Sequence, residues 1–342
     1  MSIVRSSKPR GVLQNAVKYV GVACVLAVFS AAIGLAQGVD DEPSWAYSIG
    51  TPAIPGDTVF SLPDAERSFT FDEIRRVFGP ADWYPGDHPT MPDIVANGRF
   101  PRVWACALCH YPNGQGRPEN AGISGLPRDY FVQQLYDFRN GLRASAQPRK
   151  FNTSTMVTMA QGMTDEEILA AADYYSSMPW RPWTRVVETD EVPKTRIVLG
   201  MYVPMEGEQA GTEPLGLRII EVPEEPHRTE TLRDPRTGFI AYVPSGAVER
   251  GEELATTGAA GKTTQCSICH GEDLNGIGLI PGLAGRSPSY FVRQMYDMRE
   301  GSRNGVATAL MKPVVANLTV ADMIDLAAYV ASIPPPEAAA EN

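Results

Sequence analysis

Cys106-Ala-Leu-Cys109-His110 and Cys266-Ser-Ile-Cys269-His270 are the two pentapeptides on which the reading of this chain turns. In each, two thiols stand three positions apart and a histidine follows at once. Thiols at that spacing can add to the two vinyl groups along one edge of a porphyrin, and the adjacent imidazole is then forced beneath the ring, where it can bind iron. This is the spacing of covalent haem attachment. A redox-active thiol pair would need a thioredoxin-like strand and helix around it, which the flanking pattern does not offer. A zinc ion shared by all four thiols would explain the pairs but not the histidine placed after each.

Outward from these pentapeptides the chain repeats itself. Pro92 to Gly98 lies over Glu252 to Gly258 at an offset of 160 residues, and the offset holds through both thiol pairs and His110/His270. It continues through Gly122/Gly282, Gly125/Gly285, Tyr130-Phe131/Tyr290-Phe291 and Gln134/Gln294 to Gly141/Gly301 and Arg143/Arg303. Five extra residues follow in the first copy, after which Met156 meets Met311, Thr164 meets Thr319, Tyr174 meets Tyr329 and Pro179 meets Pro334. A domain of roughly 90 residues has been duplicated.

Each copy reads as helical. Phe131, Leu135 and Phe138, like Phe291, Met295 and Met298, fall at i, i+4 and i+7 and form one apolar stripe. The last helix of each copy opens on a capping box, Thr164 to Glu167 and Thr319 to Asp322. Its inner face is Ile168, Ala171, Ala172 and Tyr175 in one copy and Met323, Leu326, Ala327 and Val330 in the other, and Pro179 and Pro334 stop it. Between the copies, short β-like runs such as Thr195–Leu199, Leu217–Val222 and Gly238–Val243 are punctuated by Pro and Gly. Ahead of the first copy, one helix is expected over Phe71–Phe78, with Thr70 as N-cap and Gly79-Pro80 as its stop.

The duplication also selects the opposite iron ligand. The chain has four histidines. His110 and His270 are taken, and His88 and His227 fall outside both copies in proline-rich loops, where they read as surface residues. Met159, Met163 and Met178 align with Val314, Leu318 and Ile333, and Met295, Met298 and Met323 with Leu135, Phe138 and Ile168. Those exchanges keep only apolar bulk, which marks the methionines as filler. Met156 and Met311 coincide, and thioether opposite imidazole is an established haem pairing. Cys106, Cys109, Cys266 and Cys269 are therefore expected to attach two haem c groups, with His110 and Met156, and His270 and Met311, as the axial ligands of the two irons.

Composition and address agree. A net charge of −10 and a pI near 5.0 argue against nucleic acid, which needs clustered Lys and Arg. Arg5, Lys8, Arg10 and Lys18 precede an apolar run from Tyr19 to Ala36 that ends on small residues. It reads as a signal peptide or an N-terminal membrane anchor, and either carries the remainder to the periplasm. The plan is then a signal or anchor at 1–36, a loop-rich extension at 37–88, a first domain at 89–180, a β-containing connector at 181–247, a second domain at 248–335 and a tail at 336–342.

These motifs resemble the dihaem cytochromes c built from tandem class I domains. The resemblance is fullest through His270-Gly271, Pro281 to Gly285, Tyr290 to Arg303, Met311 and Thr319 to Ile333, and covers both repeats. It implies a mainly α fold of two class I cytochrome c-like domains joined by the β-containing connector. It also implies that a loop carbonyl, here that of Pro281, accepts a hydrogen bond from the haem-binding histidine and so orients it. The first copy departs from the pattern. Tyr111 stands where the second has Gly271, and Ala121 replaces the loop proline, although its carbonyl can still serve. Arg139/Arg299 and Arg143/Arg303 are either partners of haem propionates or solvated helix-end charges, and Tyr130 and Tyr290 either reach propionates or sit in the core.

With imidazole and thioether on both faces, the iron has no vacant position, which leaves one-electron transfer through a haem edge. A periplasmic shuttle is expected, with a membrane oxidoreductase or dehydrogenase as donor and a cytochrome oxidase or another cytochrome as acceptor. A dihaem peroxidase would require one distal ligand to leave. A fixed redox subunit of a membrane complex would dock through the connector.

Overall fold

The computed structural model describes Trp45 and residues 57–335. The expected signal or anchor, with Cys24, and the tail at 336–342 lie outside the described residues.

The extension begins with the hairpin β1 (Val59–Ser61) and β2 (Ser68–Thr70), which runs straight into helix α1 (Phe71–Arg75). Thr70 and Glu73 form the reciprocal capping box that starts α1. The helix stops three residues short of the expected Phe78, because Arg76 turns extended after a single buried pair, Phe71 and Ile74. Two contacts on one face cannot hold a further turn against solvent.

The first repeat comprises α2 (Asp93–Ala96), α3 (Cys106–His110), α4 (Arg128–Arg139), α5 (Phe151–Gly162) and α6 (Asp165–Ser176). Its core gathers Phe131 and Leu135 of α4 with Ile168, Ala171, Ala172 and Tyr175 of α6, as the apolar stripes require. The connector then folds as strands. A three-stranded sheet sets β3 (Thr184–Glu188) parallel to a later strand, and two antiparallel pairs flank it, β4 (Glu191–Pro193) with a partner and β5 (Thr195–Val198) with β6 (Met201–Pro204). The partner of β4 is β7 (Thr212–Pro214). After β8 (Ile220–Pro223) and the short helix α7 (Pro226–Glu230), β9 (Phe239–Val243) completes the sheet between β3 and β8.

The second repeat runs through α8 (Ala247–Thr257), α9 (Ser267–His270), the small hairpin β10 (Gly276–Ile277) and β11 (Ile280–Pro281), α10 (Pro288–Arg299), α11 (Thr308–Val315) and α12 (Val320–Ser332). α12 opens on the Thr319–Asp322 capping box, as α6 does on Thr164–Glu167. Here the first helix is nearly three times as long as its counterpart α2. It crosses α12 so closely that a Cβ on Gly251 would enter the Asp325 carbonyl and approach Tyr329 Cβ to 2.8 Å.

The copies meet across a nearly symmetric seam. Arg143 and Arg303 face each other in an antiparallel bridge, flanked by Ala144 N–H donating to Ser302 O at 2.8 Å and Asn304 N–H to Leu142 O at 2.6 Å.

Candidate haem sites

The first pentapeptide is helix α3, and in the second Cys266 is the N-cap of α9, so in each the two thiols and the imidazole leave one helical turn. The thiols are free. Burial pushes Cys106 up to about 12 and, with the neighbouring Cys269, Cys266 up to about 11. Both histidines are 8% exposed, and burial holds both imidazoles below their ordinary titration range. His110 Nδ1 lies 2.8 Å from Ala121 O, and His270 Nδ1 lies 2.8 Å from Pro281 O. A carbonyl can only accept, so Nδ1 carries the proton and Nε2 keeps a free lone pair. The proline expected to do this in the second copy does so, and in the first the Ala121 backbone serves equally well, since the acceptor is main chain.

Five of the methionines aligned with other apolar residues are buried, whereas Met159 is partly buried on the same cluster as Met156. Met163, Met178, Met295, Met298 and Met323 are buried in the cores. Met159 receives the Trp104 N–H on its sulfur at 3.1 Å. Met156, on α5, and Met311, on α11, are partly buried. Met156 packs on the same apolar cluster as Cys106, and Met311 on the same cluster as Cys266. In each copy the first thiol of the pair and the aligned methionine thus border one apolar core.

The arginine pairs divide. Arg139 and Arg299 are partly buried and hydrogen-bonded within their own copies. Arg139 donates to Ala160 O at 3.1 Å and Met163 O at 2.8 Å and pairs with Asp165 at 2.6 Å, and Arg299 donates to Leu318 O at 2.9 Å. Each ties the end of the methionine helix to α4 or α10. Arg143 and Arg303 are buried in the seam. Arg143 donates to Tyr290 Oη at 2.7 Å, Gln294 Oε1 at 3.0 Å and Gln134 Oε1 at 3.0 Å. Arg303 mirrors it, with Tyr130 Oη at 2.8 Å, Gln134 Oε1 at 2.9 Å and Gln294 Oε1 at 3.1 Å. Burial would raise Tyr290, but Arg143 and Arg303 outweigh it and hold the phenol below its ordinary value.

His88 is a correction. It was expected at the surface, yet its side chain is only 5% exposed, bonded to Asp82 at 3.3 Å and to Pro89 O at 2.9 Å. It packs edge-on against Tyr174 and ties the extension to α6. His227 is exposed, as expected.

The residues fit covalently bound haem in both copies. Free thiol pairs, imidazoles with Nε2 unengaged, and two buried guanidiniums whose direct hydrogen-bond acceptors are neutral oxygens suit a ring that carries iron and two carboxylates. Arg303 Nε is buried and has no hydrogen-bond partner among the described residues.

The cytochrome c family profile matches twice, over residues 101–179 and 248–334. A thiosulfate dehydrogenase electron acceptor of Stutzerimonas stutzeri is 33% identical over 240 residues, 69% of this chain and 82% of the relative. The chain belongs to the dihaem cytochromes c. A second electron acceptor of that name, from Thiomonas intermedia, is 26% identical over 68% of this chain and 81% of its own length. The structure of Acidithiobacillus ferrooxidans cytochrome c4 is 21% identical with a TM-score of 0.43, over 66% of this chain and 98% of that one. As a dihaem cytochrome c the chain carries two haem c groups and transfers electrons. Bound haem c supplies a one-electron iron couple, and this chain's own residues set where it sits and what surrounds it.

Sequence reasoning missed the seam. Gln134/Gln294 registered only as aligned positions and Tyr130/Tyr290 as propionate partners or core residues, yet polar residues kept in both copies were the available signal for a surface that pairs copy with copy.

Proposed function

We propose that this dihaem cytochrome is a periplasmic one-electron carrier, not an enzyme. Cys106 and Cys109, and Cys266 and Cys269, would attach the haems, with His110 and Met156, and His270 and Met311, as axial ligands. The observation that carries the reading is the pair of Nδ1–carbonyl bonds. They pin each imidazole with Nε2 free, and with Met156 and Met311 as second ligands neither iron would keep a position for substrate. Thioether ligation favours a raised potential. The domain plan from the sequence supports two electron-transfer units joined by the 181–247 connector. The export segment supports delivery across the cytoplasmic membrane, whether it is cleaved or stays as an anchor. The names of the relatives support a dehydrogenase that oxidises thiosulfate as donor, and a cytochrome oxidase or another cytochrome is the acceptor.

A pyridine haemochrome assay with a redox titration tests this. Two haems per chain, two one-electron steps and no binding of carbon monoxide by the reduced protein are expected. Rapid carbon monoxide binding at either haem, or fewer than two attached haems, would overturn it.

A further inference from the structure

The two attachment helices have unlike surroundings. The first is roofed over. Ala107, Leu108 and Tyr111 are 5%, 7% and 1% exposed, beneath Ile74, Ala81 and Trp83 of the extension and Arg233 and Pro235 of the connector. Bonds lock this roof in place. Ala105 N–H donates to Val77 O at 2.9 Å, Asn113 Nδ2 to Pro235 O at 2.7 Å, Trp183 Nε1 to Gly116 O at 3.1 Å and Trp83 Nε1 to Leu232 O at 2.7 Å. Arg236 grips Asp87 through two bonds of 2.6 and 2.7 Å, so extension and connector also hold each other.

Among the described residues the second helix has no such roof, and the side chains differ at corresponding positions. At the 160-residue offset Leu108 becomes Ile268, Arg117 becomes Ile277 and Glu119 becomes Leu279. Arg117 and Glu119 are 5% and 3% exposed and paired at 2.6 Å, whereas Ile268, Ile277 and Leu279 are 64%, 57% and 64% exposed. These three belong to one face, because α9 packs on both strands of the β10–β11 hairpin and Ile277 Cγ1 lies 3.3 Å from where a Cβ on Gly271 would be. Glu272 and Asp273, both exposed, edge it, and Cys269 is exposed beside them. Large apolar side chains held open around a thiol of the attachment motif, with an acidic rim, have the build of a transient interface.

We propose that this face of Ile268, Ile277 and Leu279 is where the protein meets its redox partner, a one-electron protein whose own apolar patch is ringed by Lys and Arg, and that the first haem exchanges electrons with the outside only by way of the second. The inference rests on the carrier reading and names its door. One electron leaves the reduced partner, which is oxidised, and reduces the second iron. It then passes inward to the first iron, leaving the second oxidised and able to accept again.

The test uses the holoprotein with a basic mitochondrial cytochrome c as probe. Ile277→Lys/Leu279→Lys should slow second-order electron exchange by about tenfold or more at low salt, since a like-charged rim reverses steering. Asp64→Lys/Glu66→Lys, in the exposed turn of the β1–β2 hairpin that packs on the roof residues Ile74 and Trp83, should leave it within about twofold. Hydrogen exchange of residues 266–281 should be protected by a redox-inert zinc-substituted probe, and residues 105–117 should not. Unchanged haem spectra show that the variants are intact. Equal slowing by the roof variant, or protection of 105–117 alone, would overturn the surface while leaving the carrier reading in place. Wild-type protein that dithionite reduces but that exchanges no electrons with the probe would overturn the carrier reading itself.

Discussion

Tyr111 shows how one residue can be costly and kept. It has φ +63° and ψ 157°, a region nearly reserved for glycine, and its counterpart Gly271 has φ +87° and ψ 159°. The same turn after the histidine is therefore built twice, once without strain. Forcing a tyrosine into it costs about 1–3 kcal/mol. The ring is 1% exposed and sits edge-on to Trp183 with Arg233 above it, so it is the peg on which the connector rests. Truncating a buried aromatic costs about 3–5 kcal/mol, which exceeds the relief. Tyr111→Gly should therefore lower stability by about 1–2 kcal/mol, whereas Gly271→Tyr should be worse, with strain and no pocket; chemical denaturation of both variants checks the order. The sequence displayed Tyr111 as a departure but not its purpose, because the pocket is made by residues distant in sequence on both sides, Ile74 and Trp83 upstream and Trp183 and Arg233 downstream. The proposal of Met156 and Met311 as axial ligands rests on the opposite kind of signal: a ligand must recur in both copies while filler need only keep its bulk. Met311→Ala should open one position on the second iron and let the reduced protein bind carbon monoxide at one haem of two, measured by the Soret shift.

At the scale of elements, the repeat helices were readable because stripes and caps are local. Thr164–Glu167 and Thr319–Asp322 form the capping boxes their spacing announces, and the inner faces of α6 and α12 are buried where periodicity puts them. The length of α1 and the pairing of the connector strands were not, since both depend on partners distant in sequence. β3 lies beside β9 across more than fifty residues, and no local pattern encodes that register. Burial would raise both box carboxylates, but Arg99 and Thr164 hold Glu167, and Lys262 and Thr319 hold Asp322, below their ordinary 4.5 and 3.8. The unfolded chain then binds more protons than the folded one as pH falls through that range. This stabilisation is complete above the ordinary carboxylate values and disappears as pH drops through the folded ones. Glu167→Gln/Asp322→Asn should flatten the loss of helicity below about pH 4, followed by circular dichroism. Gly251 is the other element-scale constraint. A side chain there collides with backbone, which cannot rotate away, so Gly251→Val should destabilise the second repeat by about 3 kcal/mol or more. Because the seam joins the two repeats, the single unfolding transition of the whole holoprotein should shift with it, read by denaturant titration.

At the scale of the molecule, the seam decides whether two duplicated units behave as one. Arg143 and Arg303 each reach the other copy's tyrosine and glutamine, and Asp297 accepts from Ala146 N–H at 2.8 Å. Arg286 adds a strut, donating to Gly122 O at 2.9 Å and Ser124 O at 3.2 Å and lying over the Trp180 ring at 4.5 Å. These are buried, charge-assisted bonds, each worth about 1.5–3 kcal/mol when lost, because the abandoned acceptor has no water to turn to. Arg143→Ala strands Tyr290 and part of Gln294, and Arg303→Ala strands Tyr130 and part of Gln134. The two share both glutamines, so each glutamine oxygen keeps one donor after either single loss and has none after both. Holoprotein calorimetry should therefore give one transition for the wild type and two for Arg143→Ala/Arg303→Ala, with the double variant costing more than its singles added together. A single undivided transition in the double variant would mean that the extension and connector, not the seam, join the repeats. Because the roof touches the first copy through Asn113 and Gly116 while the second copy is held to the connector through Glu221 and Ser287, that outcome has its own sign: Trp83→Ala would then divide the transition in the seam's place.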